Sequence, residues 1–194
     1  MNAPSDNVRP YNKTETLAPK LSKKDLDNLL QLLPKLSEKE QAKLLQELSE
    51  YENLVQKKKT KDNFLVFVEK MWAEFIPGRH HTEMARAFER VANGECKRLI
   101  INMPPRHTKS EFASYLLPAW FLGKFPHKKV IQTSHTAELS VGFGRKVRNL
   151  VEREEYKDIF PGTSLQVDSK AAGRWNTSKG GDYFAIGVGG AVTG

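Results

Sequence analysis

A lysine–serine pair, Lys109-Ser110, follows a short polar stretch that comes directly after an apolar run. A lysine ammonium at the first turn of a helix can hold phosphate oxygens, and an adjacent serine hydroxyl can bind Mg²⁺. Free backbone N–H groups at the same place would complete the contacts to the phosphates. The types and the spacing of these residues therefore predict a phosphate-binding loop between a strand and a helix.

The loop departs from the general P-loop pattern, G-x-x-x-x-G-K-[ST], at both of its glycines. Met103 and Thr108 occupy those two positions, although glycine is favoured there because the backbone must wrap closely around phosphate oxygens. From the residues alone, the alternative is an ordinary strand-to-helix turn that carries a surface lysine. Both interpretations stay open at this point.

The elements around the loop are predicted from hydrophobic periodicity. Residues 98–103 form a nearly continuous apolar run, which is typical of a buried parallel strand. A helix is expected from Lys109 to Leu117, where Pro118 should kink or end it. A second strand over 129–133 and a helix over 138–151 follow. This strand–helix order predicts the α/β class with a parallel sheet and flanking helices.

The part before the loop is predicted to be helical. Residues 1–20 lack periodicity and are expected to form a disordered arm. Residues 21–60 are expected to form a helical extension of two helices. Pro34 should end the first helix, and Ser37 and Glu40 should cap the second. The lysine run 57–61 is expected to be a polar break before the next element. Two further helices are predicted from Phe64 and over 82–92.

Composition limits the classes of function. The 194-residue chain carries a net charge of +8, and the window from Lys97 to Arg148 alone accounts for a charge of that size. A concentrated positive stretch suits phosphate, on a nucleotide or on a nucleic-acid backbone. The single cysteine, Cys96, excludes an internal disulfide, and the chain shows no zinc-ligand spacing, secretory signal or membrane-length apolar run.

Several segments in a fixed order resemble the large terminase subunits of tailed bacteriophages, the motors that pump DNA into capsids. Pro104 to Ser110 is similar to the family's deviant Walker A, P-P-R-H-x-K-S, and the resemblance extends from Asn63 to Gly194. The other matching segments are the strand at 98–103, Thr133-Ser134-His135, Phe143-Gly144-Arg145 with Val147-Arg148, Phe160-Pro161-Gly162, Arg174-Trp175, Gly180-Gly181 and Gly187 to Gly194.

The resemblance implies roles for individual residues. Lys109 would contact the β- and γ-phosphates of ATP, and Ser110 would hold Mg²⁺. The loop residues Pro105, Arg106, His107 and Thr108 would line the phosphates. Arg106 would be a γ-phosphate sensor, and a salt bridge at the loop is its alternative role. His81 lies in the region of the family's adenine-contacting segment, although a capping or core role is an equal alternative.

The resemblance also implies the architecture and the partners. It implies a partial RecA-like P-loop NTPase over residues 61–194, the N-terminal part of the ATPase domain, with Walker B and the nuclease domain beyond Gly194 and no ATP turnover by this chain alone. The partners would be double-stranded DNA, a portal protein, a small terminase subunit and further copies in a ring, in the host cytoplasm. The alternatives are another P-loop motor, such as a helicase, or a basic binding protein without hydrolysis.

Overall fold

The computed structural model describes residues 22–190. The predicted disordered arm over residues 1–20 and the final residues 191–194 lie outside this described part. The chain divides into two compact units, with the boundary between Glu50 and Tyr51. The predicted domain limits at residues 20 and 60 stay predictions.

The described part of the first unit, residues 22–50, is mainly helical. Helix α1, Lys23–Leu32, begins at a capping box that Ser22 forms with Asp25, and a short 3-10 turn, Leu33–Lys35, follows it. Helix α2, Glu38–Asp62, follows Ser37, whose backbone N–H donates to the Glu40 carboxylate at 2.9 Å, and the helix continues past the boundary of the unit. The predicted cap of α2 by Ser37 and Glu40 is therefore reflected in the structure, and the box at Ser22 is an additional one.

The predicted polar break at residues 57–61 is wrong, because α2 continues through these lysines to Asp62. Lysine is a good helix former, and neither glycine nor proline interrupts this stretch. Lys59 and Lys61 lie in the last turn, where positive charge interacts favourably with the C-terminal end of the helix dipole. A run of lysines therefore extends this helix instead of ending it.

The second unit contains the remaining helices and all the described strands. Asn63 caps α3 by accepting a hydrogen bond from the Val66 N–H at 2.9 Å. The elements are α3 (Phe64–Met71), α4 (Arg79–Ala92), a π-helix (Glu111–Leu116), α5 (Leu117–Lys124), β1 (Lys129–Ser134), α6 (Ala137–Val151), α7 (Glu154–Ile159), β2 (Leu165–Lys170), β3 (Arg174–Thr177) and β4 (Asp182–Gly187). None of the helices within residues 22–190 is long and apolar enough to cross a membrane.

The α/β class is confirmed, but the prediction of a parallel sheet is wrong. The four strands are ordered β1-β4-β3-β2, and only β1 and β4 are parallel, with Ile131 opposite Phe184. Strands β2, β3 and β4 form an antiparallel meander. Short connections between these three strands, without a crossover helix, require antiparallel pairing. The sheet is therefore mixed.

The predicted strand at 98–103 does not form. These residues have no strand conformation, and Leu99 and Ile100 are 38% and 85% exposed. A strand requires a neighbour that accepts and donates ladder hydrogen bonds, and in residues 22–190 the run has no strand partner. Hydrophobic patterning alone did not reveal this missing partner.

The helix after the loop continues past Pro118. Residues 111–116 have the wide hydrogen-bond pattern of a π-helix, and α5 follows without interruption to Lys124. Proline cannot donate the backbone hydrogen bond of a regular α-helix. In this chain it lies near the start of α5, where a change in hydrogen-bond pattern from π to α accommodates the missing donor. Of the two predicted outcomes, an end of the helix at Pro118 is therefore wrong, and the kink stays a prediction.

A single cluster of buried side chains forms the core of the second unit. Phe64 is fully buried, and its ring contacts those of Phe88, Phe112 and Trp120 at centroid distances of 5.5, 5.6 and 5.4 Å. Phe112 belongs to the π-helix that follows the predicted phosphate loop. The aromatic core therefore packs against the π-helix that follows the loop.

Two glycines on α6 should respond oppositely to alanine. A Cβ on Gly144 would lie 2.5 Å from the Ala172 carbonyl oxygen, whereas one on Gly142 would meet nothing within 4 Å. We expect Gly144→Ala to destabilise the fold by about 1–3 kcal/mol, because backbone must move. Gly142→Ala should stabilise it by up to about 1 kcal/mol through helix propensity. Urea unfolding of both variants checks this, and equal midpoints would contradict it.

Candidate functional site

The predicted phosphate loop lies at the start of a helix. Lys109 and Ser110 have helical backbone, and they lead directly into the π-helix. Within residues 22–190, the backbone N–H groups of Thr108, Lys109 and Ser110 have no backbone acceptor. Free N–H groups at the first turn of a helix attract anions, because they carry the positive end of the helix dipole.

The loop backbone is strained at two residues that are not glycine. Arg106 and Thr108 have φ angles of 64° and 57°, in the left-handed region that costs about 1–3 kcal/mol for such residues. The cost is high for Thr108 because its side chain is β-branched. Thr108 occupies the second glycine position of the P-loop pattern. It therefore adopts the left-handed conformation that glycine would take without strain.

Lys109 folds back over the loop. Its Nζ donates a hydrogen bond to the Met103 carbonyl oxygen at 3.2 Å, across six residues. The side chain is half-buried, so the ammonium lies against the loop instead of extending into solvent. The ammonium and the free N–H groups therefore belong to the same short loop.

The other residues at the tip of the loop are exposed. His107 Nδ1 donates to the Pro105 carbonyl at 2.9 Å, which assigns the proton to Nδ1. The Arg106 side chain is exposed and forms no ion pair with a carboxylate of the described chain. The guanidinium is thus available to a ligand, and its role as a γ-phosphate sensor stays a prediction.

His81 is buried against the loop, at 5% exposure. Its ring contacts those of Phe75 and Phe112, at centroid distances of 4.7 and 5.0 Å. Nδ1 accepts a hydrogen bond from the Gly78 N–H at 2.9 Å, and Nε2 lies 2.7 Å from Thr108 Oγ1. Both ring nitrogens are engaged within the protein, so adenine contact by His81 stays a prediction without support from this geometry.

Ser110 is the residue predicted to hold Mg²⁺. Its side chain is exposed and has no protein hydrogen-bond partner in the described part of the chain. Residues 22–190 contain no group of three or more His, Cys, Asp and Glu side chains that would hold a metal by themselves. A hydroxyl beside free amides fits a metal that arrives with a phosphate ligand and keeps several waters.

Two contacts of the site were not predicted from the sequence. His81 stands three residues after Gly78 at the start of α4, the position from which a capping side chain reaches back to the backbone. The capping role is the alternative that the sequence left open for His81, but the contact of His81 with Thr108 depends on the tertiary fold. Glu111 and Lys146, 2.9 Å apart, join the π-helix to α6, and no spacing indicated this pair.

Comparison with known proteins gives no match. No family model, no curated protein and no solved structure matches this chain. The geometry of the loop is therefore the basis on which its function is inferred.

Proposed function

We propose that the loop Pro104–Ser110 binds the phosphates of ATP with Mg²⁺. The observation that carries this proposal is a combination within one loop: the half-buried Lys109 ammonium is held on the Met103 carbonyl, and three backbone N–H groups at the helix start have no backbone acceptor. Left-handed backbone at Arg106 and Thr108 supports it, because strained residues of this kind concentrate at ligand-binding sites. An ordinary surface turn would require neither feature.

The chemistry of the loop suits nucleotide binding. The N–H groups of Thr108, Lys109 and Ser110 and the Lys109 ammonium would donate charge-assisted hydrogen bonds to phosphate oxygens. The Ser110 hydroxyl would be a ligand of Mg²⁺, which neutralises charge on the β- and γ-phosphates when it is bound. Arg106, exposed at the loop, would approach the terminal phosphate from solvent.

We propose further that the chain is part of the ATP-driven motor subunit of a phage terminase. The support is the resemblance of Pro104–Ser110 and the spaced segments that follow it. Such a motor would couple ATP hydrolysis to translocation of double-stranded DNA into a procapsid in the host cytoplasm. Its partners would be a portal protein, a small terminase subunit and further copies of itself. The mixed sheet and its flanking helices are compatible with this proposal, but they do not identify a P-loop NTPase fold.

Titration of the 194-residue chain with a fluorescent ATP analogue and Mg²⁺ tests the proposal. We expect saturable binding that ATP displaces and that AMP, which lacks the β- and γ-phosphates, does not. Equal displacement by ATP and AMP would indicate a site that recognises the base, and would contradict a phosphate loop. The absence of saturable binding would overturn the assignment of this loop to ATP.

Ser110 provides a test of the metal. Because its hydroxyl is the proposed Mg²⁺ ligand, Ser110→Ala should remove most of the gain in ATP affinity that Mg²⁺ produces, a factor of about 10. Ser110→Thr is the matched control, since the P-loop pattern accepts either hydroxyl. Titrations with Mg²⁺ and with EDTA measure the gain for each protein. An unchanged Mg²⁺ effect in Ser110→Ala would remove this residue from the metal site.

A further inference from the structure

A directed chain of hydrogen bonds joins the start of α4 to the phosphate loop. The Gly78 N–H donates to His81 Nδ1 at 2.9 Å, so Nδ1 carries no proton. Neutral His81 therefore has its proton on Nε2, which donates to Thr108 Oγ1 at 2.7 Å. The Thr108 hydroxyl in turn donates to the His107 carbonyl at 2.7 Å. Each donor is matched to one acceptor, so the geometry defines the tautomer of the ring.

The end of this chain is the strained residue of the loop. Thr108 has left-handed backbone, which a β-branched residue keeps only where its surroundings hold it. Its hydroxyl, with one bond accepted from His81 and one donated to His107, is fixed on both sides. The next two residues are Lys109 and Ser110, the proposed ligands of phosphate and metal. The conformation of Thr108 therefore sets the position of the ligand-binding groups.

The surroundings of His81 are suited to a neutral ring. Phe75 packs on it from the segment before α4, and Phe112 packs on it from the π-helix. The titratable groups that act on it are His80, on its own helix, and His107, on the loop. The nearest acid of the π-helix, Glu111, is paired with Lys146. Burial, and then the two neighbouring histidines, lower the pKa of His81.

We propose that His81 is a positioning residue of the phosphate loop: its Nε2–H bond to Thr108 holds the loop in the left-handed conformation that presents Lys109 and Ser110 to phosphate. We call this bond the His81–Thr108 latch. The proposal rests on the proposed function, because it assigns His81 a role in that same site. Contact with ligand is not part of this role, since both ring nitrogens bond within the protein.

Variants at position 81 test the latch through ATP affinity. His81→Leu removes the donor, and we expect affinity to fall about 10-fold. His81→Gln places an amide N–H where Nε2–H stands, so it should keep affinity within about 2-fold of the parent. The control is His127→Gln, a histidine in the turn before β1, which should have no effect. Equal losses in His81→Leu and His81→Gln would overturn the latch.

The decisive comparison uses a loop that does not need a latch. Glycine takes a left-handed backbone without strain, so Thr108→Gly should make the loop independent of His81. In that background, His81→Leu should change ATP affinity less than about 2-fold, against about 10-fold in the parent. A role of His81 in core packing alone would give the same loss in both backgrounds, and that result would overturn the proposal.

The latch also predicts a pH dependence. Protonation of Nδ1 removes the acceptor of the Gly78 N–H, so the latch requires the neutral ring. Since the folded pKa is lowered, latch stability is complete above the unfolded histidine value of about 6.5 and is lost as pH falls below it. The nucleotide also titrates in this range. The readout is therefore the difference in ATP affinity between the parent and His81→Gln at each pH. Identical pH profiles would contradict the latch.

Nitrogen-15 NMR of the His81 ring, without nucleotide, separates the two proposals. We expect a neutral ring with its proton on Nε2 at pH 7, and the opposite tautomer or an imidazolium would overturn the latch. The proposed function fails on a different result, the absence of Lys109-dependent ATP binding by the parent chain. Circular dichroism of each variant confirms that it is folded, so that a loss of affinity reports on the loop.

Discussion

Replacement of Lys109 by alanine is expected to abolish Mg·ATP binding. The lysine ammonium belongs to the same loop as the free N–H groups, and a hydrogen bond to the Met103 carbonyl holds it in position. Two charge-assisted hydrogen bonds to phosphate, at about 1.5–3 kcal/mol each, correspond to a loss of at least about 100-fold in affinity. Titration with a fluorescent ATP analogue measures it.

The matched control is Lys97→Ala. Lys97 lies in the same basic window of the sequence and is exposed, so its replacement removes one positive charge without touching the loop. We expect a change of less than about 2-fold, through the long-range field alone. Equal losses from both replacements would mean that ATP binds the basic surface non-specifically, and unchanged affinity in Lys109→Ala would remove this lysine from the site.

Replacement of Phe64 by alanine should have the largest effect on stability. Phe64 is fully buried, and its ring contacts three neighbours in the core. Removal of such a side chain costs about 3–5 kcal/mol through lost burial and the cavity that remains. This is a large part of the 5–15 kcal/mol by which domains of ordinary size are stable. Chemical denaturation followed by tryptophan fluorescence measures the loss.

The control for Phe64→Ala is Ile76→Ala. Ile76 is 83% exposed, so its truncation should change the unfolding free energy by less than about 0.5 kcal/mol. A similarly small effect at Phe64 would show that the core rearranges to fill the cavity. Since Phe64 packs on Phe112, which in turn packs on His81, the variant should also weaken ATP binding at temperatures where it remains folded.

The sequence predicted the elements whose stability depends on their own pattern. The strand at β1 and the helix at α6 follow from local periodicity, and the cap at Ser37 follows from the spacing of two side chains. The prediction failed for residues 98–103, because a strand also depends on a distant partner that its own residues do not identify. For the same reason, strand direction in the sheet was predicted incorrectly.

At the candidate site, too, the sequence predicted local features but not distant contacts. Lys109 and Ser110 were predicted because their types and their adjacency already specify phosphate chemistry. The left-handed backbone of Thr108 was not predicted, since threonine at that position weakened the pattern instead of supporting it. Its partner His81 stands 27 residues earlier in the chain, and only the packing of α4 against the loop brings the two together.

The bond from Lys109 to the Met103 carbonyl should make the loop selective among anions. An incoming anion must replace this carbonyl as the acceptor of the ammonium, so only the difference between the two bonds contributes to its affinity. Chloride brings a single charge and gains little by the exchange. A triphosphate presents several charged oxygens to the ammonium and the amides at once, and gains much more. The loop is therefore expected to discriminate against abundant monovalent ions before any nucleotide arrives.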